Sequence, residues 1–297
     1  MIHVPSSEIS LVRRILRFSL VRLILGLLVV GVPAGLVTMA IHALPLGQDV
    51  AGVLAAAGIA ISGLLSYWLY VKYVEQRSVT ELDTGFAARE LGLGVLSGTT
   101  LFGVVVGVLF LLGSAHVVKV NSWYLMAGPF AMALSSGFYE ELLLRGILFR
   151  IIERPLGTWI SLTISALVFG AGHLANPGAT LFTSAAIAVE AGVLLAGAYM
   201  MTRRLWVPIG IHFGWNFAQG GIFGIAVSGN PVVGWLTTSL EGPKLLSGGS
   251  FGAEASIVAV TLCTCTGGWF VWRSIRLGQI RPPMWAARRE TVDPPGV

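Results

Sequence analysis

Residues 91–113 read LGLGVLSGTTLFGVVVGVLFLLG, 23 positions without one charged side chain. As a helix this stretch is about 34 Å long, enough to cross the roughly 30 Å hydrocarbon core of a bilayer. Comparable apolar runs lie on either side, at 20–43, 51–74, 123–149, 156–176, 178–201, 206–228 and 252–275. The turn signal Asn176-Pro177-Gly178 separates the fifth run from the sixth. The chain therefore reads as all-α: a polytopic membrane bundle of about eight transmembrane helices. Composition agrees, with 55% hydrophobic and 11% charged residues in 297, against about 25% charged in soluble domains. Mean hydropathy is +0.81. The first apolar run is too long for a cleavable signal peptide.

The charges set the expected topology. With the N-terminus inside, 17 of the 19 Lys and Arg fall on the internal side, and only Lys119 and Lys244 on the external one. Positive-inside sorting produces such a bias, and one span more or fewer would destroy it. Both termini are expected to be cytoplasmic, including the residues around Arg13, Arg14, Arg17, Arg288 and Arg289. The pI near 9.6 is explained the same way, so nucleic acid is not an expected partner. Three parts follow: helices one to three in 1–119, a polar-residue-bearing core in 120–228, and a last helix with a polar tail in 229–297.

Ionisable groups inside a bilayer cost a few kcal/mol or more each and are usually functional or paired. Of 14 acids only Glu140, Glu141 and Glu190 fall well inside spans, and of five histidines only His173 and His212. Segment four ends in GFYEELLLRGILFR, placing Glu141 and Arg145 one helical turn apart. Glu140 has no basic residue at i+3 or i+4, as suits a general base or acid. Segment five carries FGAGHLAN, with Phe169 one turn from His173, and segment seven carries IHFGWNF, with His212 one turn from Asn216. If those helices converge, two carboxyls, two imidazoles and a carboxamide can activate water and stabilise an oxyanion. Glu190 lies mid-span without a charged helical neighbour, facing either that cavity or the bundle interior. Cys263 and Cys265 read as packing residues.

EExxxR (Glu140, Glu141, Arg145), FxxxH (Phe169, His173) and HxxxN (His212, Asn216), in this order on successive helices, resemble the CAAX-protease and bacteriocin-processing (CPBP) family of intramembrane proteases. The resemblance covers roughly 120–225. It implies an intramembrane endopeptidase acting on membrane-associated peptides or proteins. Glu140 and His173 would activate water, His212 and Asn216 would stabilise the oxyanion, and Glu141 with Arg145 would position the site. Family members have also been described as zinc-dependent. In that alternative Glu140, His173 and His212 would be the ligands; the preferred reading has no cofactor.

Two other functions remain open: a non-catalytic membrane scaffold of the same fold, and a proton-coupled transporter. The expected surroundings are the lipid bilayer, the inner membrane if the source is bacterial. One distance fits poorly. Glu140 lies about 15 Å along its helix from Arg150, and His173 about 24 Å from Gly157, so a straight segment five would leave His173 nearer the outer face; tilt, a later start or a re-entrant hairpin at Asn176-Pro177 would each resolve this.

Overall fold

The computed structural model describes residues 16 and 18–286; the arginines expected near the two ends, Arg13, Arg14, Arg17, Arg288 and Arg289, lie outside the described residues. Helix α1 (Ser19–His42) pairs with α2 (Gln48–Leu69), which runs on as a π-helical turn, Tyr70–Val74. Helix α3 (Ala87–Leu111) leads to strand β1 (Ala115–Val120). Helix α4 (Ala127–Glu141) continues π-helically through Leu142–Phe149 into α5 (Arg150–Gly172). Helix α6 (Leu181–Ile187) reaches α7 (Val193–Thr202) through the π-helical Ala188–Gly192. Helix α8 (Trp206–Asn216) ends in the π-helical Phe217–Ile222, and α9 spans Ile257–Arg276.

Among the described residues, five helical stretches are long and apolar enough to cross a membrane: Ser19–His42, Gln48–Val74, Ala87–Leu111, Trp123–Ala175 and Leu181–Thr202. The fourth of these is not one rod. At Gly157, φ 79° and ψ 169° break the helix just after Pro155. A Cβ there would come within 2.8 Å of the Pro283 nitrogen, and the Thr158 N–H donates to the Arg281 carbonyl at 3.0 Å. Glycine is the residue that tolerates both this φ and this approach.

The break explains the discrepancy in depth. The first leg does not stop at Arg150 but runs on to Gly157. Counted from there at 1.5 Å per residue, Glu140 lies about 25 Å and His173 about 24 Å from the reversal. The two residues are level, and no re-entrant hairpin at Asn176-Pro177 is required to bring them together.

One departure from an all-helical chain is a two-stranded sheet, in which β1 pairs antiparallel with β2 (Leu236–Leu240), Ala115 opposite Leu240 and Val120 opposite Leu236. The seventh apolar run, expected to reach residue 228, leaves its helix at Ile222, and the last helix begins at Ile257 rather than 252. The intervening residues fold back over one end of the bundle.

Glycines let α3 and α8 touch backbone to backbone. A Cβ on Gly94 would meet the Val207 carbonyl at 2.5 Å, and one on Gly98 the Ile211 carbonyl at 2.2 Å. From the other side, Gly210 and Gly214 stand the same way against Leu91 and Val95. Two interlocked small-xxx-small pairs of this kind drive close helix packing in lipid, where the hydrophobic effect between helices is absent. They fix α8, the carrier of His212 and Asn216.

At the opposite end from the sheet, four arginines are tied to buried acids. Arg150 grips Glu75 with two bonds of 2.7 and 3.0 Å, Arg77 meets Glu81 at 2.9 Å, and Arg203 meets Glu153 at 2.6 Å. Arg204 Nε donates to Glu90 at 2.9 Å.

Candidate active site

The Glu141–Arg145 pair forms as its spacing foretold, and each motif also reaches neighbours on other helices that spacing did not show. One helical turn lets Arg145 Nη1 donate to Glu141 Oε1 at 2.8 Å, with both side chains wholly buried. The guanidinium also reaches the Gly192 carbonyl at 3.1 Å. It lies 4.9 Å from the centre of the Phe169 ring, a cation–π distance. On its other side Phe169 stacks at 4.8 Å against His173, and its edge meets His212 at 5.9 Å. Phe169 is thus the spacer around which arginine and both imidazoles are arranged.

The tautomers follow from the partners. His173 Nδ1 lies 2.8 Å from the Phe169 carbonyl, which can only accept, so Nδ1 carries hydrogen and Nε2 the lone pair. His212 Nδ1 lies 3.0 Å from Glu141 Oε1. That carboxylate is ion-paired to Arg145 and likewise only accepts. Glu141 therefore holds His212 as well as Arg145, a contact on another helix that spacing could not show. His212 Nε2 is 4.0 Å from Glu140 Oε2. This is too long for a direct hydrogen bond and within the span of one bridging water. Asn216 Nδ2 donates to Ser136 Oγ at 3.0 Å, leaving its second N–H for another acceptor.

Glu140, His173, His212 and Asn216 line a single cavity of about 190 Å³, together with Ser136 and Phe169. Glu141 and Arg145 stand behind this wall, without exposure. Glu190 lines the cavity too. Sequence reasoning missed Ser136, and it missed Ser228, Asn230 and Glu254, which come from the segment after α8 and complete the lining. Glu254 was the findable one, as an acid inside the apolar run FGAEASIV. Three of the four π-helical segments sit where the site residues do: Leu142–Phe149 follows Glu141, Ala188–Gly192 contains Glu190, and Phe217–Ile222 follows Asn216, whereas Tyr70–Val74 lies apart from them. Such local widening of a helix frequently accompanies functional sites.

For zinc at Glu140, His173 and His212, both imidazoles keep Nε2 for a ligand, since Nδ1–H is donated elsewhere, an arrangement common to zinc-bound histidines. Among the described residues, however, no three His, Cys, Asp or Glu side chains are grouped closely enough to share a metal.

Residues 121–218 match the family model described as type II CAAX prenyl endopeptidase Rce1-like. That stretch contains all seven motif residues. No curated protein and no solved structure matches the chain.

Proposed function

We propose that this chain, assigned by residues 121–218 to the CAAX-protease (CPBP) family, is an intramembrane endopeptidase that hydrolyses membrane-associated peptides or proteins with water activated by Glu140. The observation that carries the reading is the convergence of Glu140, His173, His212 and Asn216 on one cavity, at matched depth on separate helices.

In this mechanism Glu140 and the Nε2 lone pair of His173 orient a water against the scissile carbonyl, and Glu140 takes its proton. The water oxygen bonds to the carbonyl carbon. The resulting oxyanion is met by Asn216 Nδ2–H and by His212. Because Nδ1–H of His212 is donated to Glu141, its Nε2 donates only when the ring carries two protons. Carboxylates on both sides of the ring, at 3.0 and 4.0 Å, face that cation. Collapse breaks the C–N bond, and the leaving nitrogen takes the proton held by Glu140. The step needs no cofactor. Zinc in a stoichiometric ratio in active protein, with chelator-sensitive turnover restored by zinc, would overturn this part.

The topology proposed with it has eight spans and both termini cytoplasmic. Reporters inserted after Gly242 and fused at the C-terminus should lie on opposite sides of the membrane; a shared side would refute it. Purified protein in liposomes separates the functions: the peptidase reading requires cleavage of a membrane-tethered reporter, whereas a transporter would give ion flux without cleavage.

A further inference from the structure

Seven glutamates are buried among the described residues: Glu75, Glu81, Glu90, Glu141, Glu153, Glu190 and Glu254. The first five each have an arginine: Arg150, Arg77, Arg204, Arg145 and Arg203, respectively. A buried carboxylate without a counter-charge is destabilising by several kcal/mol, and this fold meets that requirement five times in the same manner. Glu190 and Glu254 are the exceptions. Neither takes part in an ion pair among the described residues, and each is only 2% exposed. Both line the cavity that holds Glu140, and no lysine or arginine lines it with them. Glu254 Oε1, moreover, is fully buried without any hydrogen-bond partner.

We infer that the counter-charge for these two acids is supplied by the ligand: Glu190 and Glu254 form a subsite for a cationic group of the peptide substrate, an ammonium or guanidinium lodged beside the hydrolytic wall. The inference rests on the peptidase reading for the identity of the ligand. A lysine or arginine side chain and a free peptide amino terminus offer the same chemistry. A free carboxylate entering this part of the cavity would meet two like charges instead. A rival arrangement leaves both acids neutral: Glu190 would be held protonated within the bundle, and Glu254 could donate to Gln219 Oε1, which is also buried and unpartnered. In that case no cation is selected.

The test measures binding without requiring hydrolysis. Full-length Glu140→Gln protein in detergent is titrated with a membrane-anchored fluorescent peptide carrying lysine near the centre, and with the same peptide carrying norleucine. Each is made with a free and with an acetylated amino terminus, which separates the side chain from the terminus as the source of the charge. A charge-assisted hydrogen bond in a desolvated site corresponds to at least about a tenfold preference for the cationic form. Adding Glu190→Gln or Glu254→Gln should reduce that preference to about threefold or less. Either variant suffices if the other does not fold. Equal affinity for all peptides, no binding by any, or a preference that survives both substitutions would overturn the inference. Wild-type protein incubated with the same peptides reports separately on the peptidase reading, since binding with charge preference but no cleavage refutes that reading and leaves the subsite standing.

Discussion

Glu140 and Glu141 are adjacent in sequence, yet the structure gives them opposite debts to stability. Glu141 and Arg145 are both without exposure and 2.8 Å apart. Glu141→Gln would leave the guanidinium charged in the bundle interior, with the Gly192 carbonyl at 3.1 Å and the Phe169 ring as its remaining company. Removing one partner of a buried pair typically costs about 3–5 kcal/mol, and those surviving contacts place the expectation near the lower end, about 3 kcal/mol. Glu140 is 31% exposed, and its nearest basic group is a histidine nitrogen 4.0 Å away. Glu140→Gln should then change stability by no more than about 0.5 kcal/mol. Reversible unfolding of the purified proteins in mixed micelles, with denaturing detergent as the titrant, measures both. Equal destabilisation by the two substitutions, or a neutral Glu141→Gln, would refute the assignment of Glu141 as the structural carboxylate and Glu140 as the free one.

Other expectations concern the histidines, the helix contact and acid. His173→Gln should be as inactive as His173→Ala, because glutamine cannot take a proton from water. His212→Gln should keep part of the roughly 3–4 kcal/mol an oxyanion donor contributes, and identical responses of the two histidines in steady-state kinetics would contradict the division of roles. Gly98→Ala places a methyl 2.2 Å from the Ile211 carbonyl. It should cost about 1–3 kcal/mol and, by displacing His212, about 100-fold in turnover; unchanged kcat would show that α8 is not seated by this contact. At Glu75, burial pushes the carboxyl pKa up, but Arg150 and Arg77 outweigh it and hold the group below its ordinary range. A pKa lower in the folded than in the unfolded chain stabilises above the unfolded value and is lost as pH falls through the folded one. Thermal stability should therefore fall below about pH 4, and Glu75→Gln should flatten that dependence. An unaltered slope would contradict it.

Much of the bundle could be read from apolar run length, because a bilayer leaves helices few alternatives. Glu140, Glu141, Arg145, His173, His212 and Asn216 stood out because ionisable and amide side chains are expensive there. What stayed hidden depends on how helices are joined and aligned. The depth of His173 stayed open because it depends on the first leg running on to the reversal at Gly157, and a glycine's φ cannot be read from its neighbours. The bond from His212 to Glu141 joins residues 71 positions apart. Ser228, Asn230 and Glu254 reach the cavity from an irregular segment with no periodicity to read. The Gly94, Gly98, Gly210 and Gly214 contact was written in the sequence as two small-xxx-small pairs, but only the fold shows that they face each other.

The central claim is that Glu140 activates the attacking water. It is tested most directly by the rate of reporter cleavage by purified, reconstituted Glu140→Gln protein whose unfolding matches wild type. Loss of general-base catalysis predicts a fall of at least about 100-fold with peptide binding retained. Cleavage at the wild-type rate would contradict the account, whatever becomes of the family assignment.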